Sequence, residues 1–384
     1  MLRYLPLVLK NGLRNRRRSL LTISSIAASM CVLGVLMAMY HAFFFEQPTA
    51  GSALRVITRH RVSITNVLPI SYGDKIRRVP GVEAVLAYQW FGGVYKEPKN
   101  MFARFAAEAD NLWKVMPEYE VDPAEKEAFM RDRAGCIIGR SLANRFGFKI
   151  GDRITLTGDI FPGNWEFNVR AIYDSPNDNE NMFFHLQYLF DGVSRRGGRE
   201  FAGMFASRVA SPDLVTRVGK EIDDMFRNSA TPTKTDTERN FMLSFLSMLG
   251  DVKMILMSIC GAVTFTIVLV AANTMAMSVR ERVKEVGVLK TLGFSNRAIL
   301  GIILGEAAFI SLLGGIFGYF IAVGLTWLVR QGPEIMPQLK TLSMQPPVAL
   351  LLFAVAVLIG VVSSFVPAWN ASRTPILDSL RYTG

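Results

Sequence analysis

Histidine and cysteine are scarce in this chain, with three of each in 384 residues. His41, His60 and His185 never stand at the spacing of a ligand pair on a helix, so no metal cluster is legible around them. Cys31, Cys136 and Cys260 are too few and too scattered for a disulfide framework or a cysteine-based zinc site. Cys136, beside Ile137 and Ile138, reads as a small buried hydrophobe. A G-x-x-x-x-G-K-[ST] phosphate loop is missing. The pairs Gly92-Gly93 and Gly197-Gly198 are loop-like, and Gly314-Gly315 falls inside an apolar run. With no nucleophile beside a base either, the chain offers no catalytic residue, no metal site and no cofactor site of its own. Charge is thin as well, at 20% of residues against 50% hydrophobic, which argues against an ordinary soluble enzyme.

The charge that exists is unevenly spread. Residues 46–251 hold 27 Lys/Arg and 27 Asp/Glu, residues 1–45 hold six basic and no acidic residues, and residues 252–384 hold ten basic against five acidic. A nucleic-acid binder concentrates basic charge on its folded domain. Here the polar stretch is neutral, so nucleic acid is not an expected partner, and the basic residues flank apolar runs in the manner of the positive-inside rule.

Four runs reach the roughly 20 apolar residues that cross a bilayer. They are expected as transmembrane helix 1 at 20–45, helix 2 ending at 279 after a stalk that starts at 238, helix 3 at 298–329, and helix 4 with its exit at 346–372. The first is too long for the core of a secretory signal, about 7 to 15 residues, and reads as a retained anchor. Arg3, Lys10, Arg14, Arg16, Arg17 and Arg18 make residues 1–19 a cytoplasmic amphipathic segment, and the basic connection 280–297 lies on the same side. Residues 373–384 then form a cytoplasmic tail, with 330–345 a short loop on the far side and 46–237 an exported domain.

That domain reads as α+β. Period-two alternation marks strands at Ile154 and Leu156 and again from Phe167 to Tyr173. Helical patterns cover Ser141 to Phe146 and Asp213 to Phe226, and Pro80-Gly81, Gly151-Asp152 and Pro162-Gly163 signal turns. From Glu238 the pattern is apolar and helical through Phe241, Phe245 and Leu249, predicting a stalk continuous with the second span. The fold class is therefore a membrane protein with four transmembrane α-helices and an α+β extracytoplasmic domain inserted between the first and second.

Between the second and third spans, Val279, Val283, Val286 and Leu289 recur at helical spacing, while Arg280, Arg282, Lys284, Glu285 and Lys290 take the other faces, predicting a short amphipathic helix over 279–292. Gly293 suits the left-handed residue past a helix end, and Ser295 or Asn296 suits the cap of the next. Gly287 within this helix costs about 1 kcal/mol relative to Ala, which implies a close approach of some backbone or partner. On physics alone this elbow serves equally as a helix resting among lipid headgroups or as a docking element. Glu306, about 12 Å into the third span, must be neutralised, paired or snorkelled, with Asn273 a polar partner to consider. Gly301-x-x-x-Gly305 and Gly314-x-x-x-Gly318 permit close helix packing.

The stretch from Asn273 to Gly324 carries Ser278-Val279-Arg280-Glu281-Arg282, then Glu285-Val286-Gly287-Val288-Leu289-Lys290 up to Gly293, then a span bearing Glu306 and Gly314-Gly315. This order closely resembles the signature region of the FtsX/MacB family of ABC transporter permeases. Asn11-Gly12-Leu13-Arg14 and Arg18 to Thr22 look like the family's leading helix, and Pro367-Ala368, Ala371 to Arg373, Pro375 and Leu380-Arg381 like its C-terminal signature. Lys75 to Val82 and Ile138-Gly139 to Asp152 look like parts of its periplasmic core.

The resemblance implies a permease subunit in a bacterial inner membrane, with ATP and Mg bound not here but on a separate cytoplasmic ABC ATPase. It casts Arg280, Glu281, Arg282, Lys284, Glu285, Gly287, Lys290 and Gly293 as a coupling helix, and Glu306 and Asn273 as membrane-embedded polar residues. It also implies a permease homodimer or a pair with a close paralogue, a periplasmic adaptor or hydrolase as a further partner, and contact with membrane lipid. The work expected is export or extraction of a lipid, lipopeptide, lipoprotein or drug-like substrate by mechanical transmission. An FtsX-like regulator that activates a cell-wall hydrolase or relays an envelope signal shares every one of these features. A membrane-tethered enzyme would instead need catalytic groups in 46–251.

Overall fold

The computed structural model describes residues 16–45, 50–176, 179–194, 200–248, 251–281, 283–331 and 342–375. The expectations for residues 1–15, for Arg282, for most of the 330–345 loop and for the tail beyond Pro375 lie outside them. In chain order the elements are α1 (Arg16–Phe44), α2 (Ala50–Ala53), β1 (Arg55–His60), β2 (Leu68–Pro69), α3 (Tyr72–Ile76), β3 (Val82–Trp90), β4 (Arg104–Ala107), α4 (Ala109–Val115) and α5 (Pro123–Arg131). There follow β5 (Gly135–Gly139), α6 (Arg140–Phe146), β6 (Arg153–Gly158), β7 (Gly163–Tyr173), β8 (Met182–His185), α7 (Leu186–Ser194), β9 (Phe201–Ala202), β10 (Met204–Val209), α8 (Val215–Phe226) and β11 (Thr233–Thr237). The chain closes with α9 (Glu238–Met248), α10 (Val252–Glu281), α11 (Val283–Thr291), α12 (Asn296–Gln331) and α13 (Pro346–Arg373). They divide into two units, a helical one built from the two ends of the chain and a polar one from the described residues between Ala50 and Met248.

The polar unit is built on a nine-stranded sheet in the order β11-β1-β10-β3-β4-β8-β5-β7-β6. Neighbours run antiparallel except β4 with β8 and β5 with β7. Because successive side chains on a strand point to opposite faces, Val85 and Ala87 of β3 join one buried cluster while Leu86 and Tyr88 join another. Helices α3, α6, α7 and α8 cover the first face. The second is covered by α4, α5 and Phe241 of α9. Cys136 is fully buried in β5. The expected strands are present as β6 and β7, and Gly81, Gly151 and Gly163 take the positive φ that their turns demand.

Among the described residues, four helices of the other unit are long and apolar enough to span a bilayer: Ser19–Phe44, Lys253–Arg280, Asn296–Gln331 and Pro346–Arg373. They share a core of Ile26, Met30 and Leu33 from α1, Ile267, Ala271 and Met275 from α10, Ala307 and Ile310 from α12, and Leu352, Ala356 and Ile359 from α13. Small residues set the spacing. A Cβ at Gly318 would stand 2.7 Å from the Ala27 carbonyl oxygen, one at Gly314 2.6 Å from Ile26, and one at Gly360 2.7 Å from the Ser311 hydroxyl. The Gly314-x-x-x-Gly318 pair is thus used inside the chain, against α1.

One expectation is corrected. The stalk and second span are not a single unbroken helix: α9 ends at Met248, and Asp251 stands outside the helix that follows. The Asp251 Oδ1 accepts the Met254 N–H at 2.9 Å, the capping bond that starts a new helix.

Candidate functional site

The elbow between the second and third spans is built by local chemistry. Its first helix, α10, ends at Glu281, and α11 resumes at Val283 with Val286 and Gly287 buried and Val283 and Leu289 half-buried. At its end the Gly293 N–H donates to the Lys290 carbonyl at 3.0 Å and the Phe294 N–H to the Leu289 carbonyl at 3.1 Å, while Gly293 sits at φ 86°. This left-handed stop is what glycine supplies cheaply. Ser295 Oγ then accepts the Ala298 N–H at 3.3 Å and caps α12.

The helix is fastened on two sides, to α12 and to α13. Lys290 reaches out and donates from Nζ to the Thr374 carbonyl at 2.6 Å. A cation there satisfies an unpaired carbonyl at the C-terminus of α13 and complements its dipole. Next to it Arg373 stacks on Trp369 at 4.0 Å. On the other side a small cavity of about 40 Å³ lies between α10, α11 and α12; Ser278, Val286, Leu289 and Ile302 line it, together with the two acids Glu285 and Glu306.

Apart from Arg282, each residue singled out in the sequence has a place. Glu306 is only 8% exposed, and Glu285 is half-buried at the same cavity. Asn273 is exposed on α10 and is not among the cavity's lining residues. Gly287 is buried. Arg280 and Lys284 are exposed, Glu281 closes α10, and Arg282 lies outside the described residues. What the sequence reading missed is the opposite face of α11. Val288 is 50% and Leu292 70% exposed, four residues apart and in line with Lys284, so two large apolar side chains stand in the open among basic ones. The spacing 284, 288, 292 was available as a signal.

A second cluster, invisible in sequence, lies within the polar unit. Arg55, at the start of β1, is 4% exposed. Its NH1 pairs with Glu118 Oε1 at 2.5 Å and donates to the Val115 carbonyl at 3.1 Å, and its Nε donates to Glu238 Oε2 at 2.7 Å. Burial alone would weaken the guanidinium's hold on its proton, but Glu238 and then Glu118 outweigh it and push the pKa up.

Histidines are not brought together: His60 accepts the Val62 N–H, and His185 donates to the Phe129 carbonyl at 2.8 Å. Among the described residues no three His, Cys, Asp or Glu side chains gather into a metal-binding group.

The fold and its elbow define a multi-pass membrane protein with a large α+β domain inserted between its first and second spans. A family model for the MacB-like periplasmic core domain matches residues 19–225, and one for the FtsX-like permease C-terminal region matches residues 257–376. The chain belongs to the FtsX/MacB-type family of ABC transporter permeases. Along nearly its whole length it is similar to an uncharacterized ABC transporter permease of Methanocaldococcus jannaschii, 24% identical over 389 residues, covering 97% of this chain and 96% of the relative. It is also similar to the macrolide export ATP-binding/permease protein MacB of Agrobacterium fabrum, 35% identical over 108 residues, but only over 28% of this chain and 16% of that one. Among solved structures, the periplasmic region of MacB from Actinobacillus actinomycetemcomitans aligns at 8% identity with a TM-score of 0.36, over 50% of this chain and 92% of that chain.

Proposed function

We propose that this permease receives force from a separate cytoplasmic ABC ATPase at the elbow and passes it to the inserted domain, which acts on a lipid, lipopeptide, lipoprotein or drug-like substrate on the far side of the membrane. The observation that carries the reading is the two-sided character of α11. Its inner side is fixed by Val286, Gly287 and the Lys290 to Thr374 bond, and its outer side presents Lys284 and Val288, with Leu292 exposed just past its end. A helix that only rested among headgroups needs no rigid attachment on its inner side, whereas a lever does. Exposed apolar residues in line with the exposed Lys284 suit a protein groove with an acidic rim.

In this reading the ATPase holds the ATP and Mg, the termini and elbow face the cytoplasm, the membrane is a bacterial inner membrane, and two permeases, identical or paralogous, share two ATPases. The Agrobacterium relative is an ATP-binding/permease protein in one chain, which supports a close working link between such parts.

The test is affinity purification of the full chain in mild detergent. Val288→Glu and Leu292→Asp should each lower the amount of co-purifying ATPase at least tenfold, the effect of losing about 1.4 kcal/mol or more at one docking residue, while membrane insertion is unaltered. Gly287→Leu, which displaces the helix from within, should retain ATPase but uncouple hydrolysis from work. Undiminished ATPase recovery with both surface variants would defeat the proposal.

A further inference from the structure

The inserted domain is connected to the spans through two leads, one arriving before β1 and one leaving through α9. Both leads converge on Arg55. The residue opens the incoming strand, its Nε holds the first residue of the outgoing helix, and its NH1 holds Glu118 in the turn after α4. These partners lie 183 and 63 residues away in sequence, and the guanidinium reaches them as a fork that only arginine offers.

The surroundings are built to match. Strand β1 pairs antiparallel with β11, Val56 opposite Thr237, so the incoming and outgoing chains lie side by side before α9 begins. The Thr58 and Thr235 hydroxyls meet across that pair at 2.9 Å. Asp223 of α8 accepts from the Thr233 hydroxyl at 2.9 Å and from the Thr235 N–H at 3.0 Å, tying the outgoing strand to the helix layer. Gly51 of α2 lies so near Glu118 that a Cβ there would meet Oε2 at 3.1 Å, and that oxygen is buried without a hydrogen-bond partner of its own. Phe241, one turn into α9, packs on the second face of the sheet.

We infer that Arg55 is a positioning residue that fuses the two leads into one joint, so that displacement arriving along either lead moves the nine-stranded sheet as a body. The inference rests on the proposed coupling function. A buried arginine between two carboxylates is a poor choice for stability alone, since apolar residues of like volume do as well or better. It is a good choice where three segments must keep one geometry under load, because breaking it requires separating paired charges away from water.

Two measurements on the full chain, assembled with its ATPase, test this. Arg55→Lys keeps the charge and loses the fork, and Arg55→Met combined with Glu118→Gln and Glu238→Gln keeps the volume and leaves no uncompensated charge. In both, amide exchange in α9 should rise about tenfold while β3 stays protected. The ATP-driven change in distance between spin labels at the exposed positions Val62 and Val366 should fall to less than about half of that in the unaltered complex. Unchanged exchange in α9, or full displacement despite a loosened α9, would overturn the joint and leave the coupling reading standing. No ATP-driven change in the unaltered complex would overturn the coupling reading, and the joint's role with it.

Discussion

Two titratable residues of the inserted domain contribute to how its stability responds to acid. His185 is held below the ordinary histidine range, chiefly because burial disfavours its charged form; the Phe129 carbonyl and nearby Asp132 and Asp110 oppose this only in part. The unfolded chain therefore binds the proton more readily. The contribution is intact above the unfolded pKa of about 6.5 and is lost as pH falls below it. For Asp132, burial alone would raise the pKa, but donors on Asn168, Arg170 and the Ala134 backbone outweigh it and hold the carboxyl below its usual range. Its contribution is intact above about 3.9 and is lost at lower pH. The urea midpoint of the full chain, followed by tryptophan fluorescence, should therefore drop in two stages as the pH is lowered, one below the ordinary histidine value of about 6.5 and one below the ordinary aspartate value of about 3.9. Histidine 185 replaced as His185→Gln should erase the first stage alone, and a first stage of unaltered size would refute the assignment.

Arg55 marks the limit of what single residues reveal in sequence. Nothing in the local string around it points to partners 63 and 183 positions away. Gly293 and Ser295 were legible because a helix stop and a cap are settled by the residues themselves and their immediate neighbours.

At the scale of elements, the four long apolar helices were legible because length and apolarity are properties of the string itself. The sheet order could not. Whether β4 pairs with β8 and β5 with β7 is decided by packing between distant strands, and alternation within one strand carries no such record. The break at Asp251 was masked by the apolar residues on either side of it, although an aspartate three positions before Met254 is a cap signal.

The glycines of α12 divide into two kinds, and this can be checked directly. Gly318 faces the α1 backbone, whereas a Cβ at Gly324 meets nothing within 4 Å. Gly318→Leu should destabilise the helical unit by about 3 kcal/mol or more, through overpacking, and lower its thermal aggregation temperature in detergent. Gly324→Leu should leave that temperature within about 2 °C, as surface changes do. Equal behaviour of the two variants would contradict the packing described.

For the molecule as a whole, the proposed orientation can be read with thiols. Cys136 is buried in β5, and burial, reinforced by the charge of Asp132, raises its pKa, so it should resist maleimide until the domain unfolds. Cysteines placed at Val62, which is 78% exposed, and at Leu292 make better reporters. An impermeant maleimide applied to intact inner membranes from outside should label Val62→Cys promptly and Leu292→Cys only after permeabilisation. The reverse order would invert the topology.

The pairing of β1 with β11 has a consequence beyond force. With Val56 opposite Thr237, the first and last strands of the inserted domain stand about 5 Å apart, so the domain's own sheet begins and ends side by side, whatever its size. Such a cassette can be exchanged through a two-point splice, and one set of spans can carry many different payloads without being redesigned.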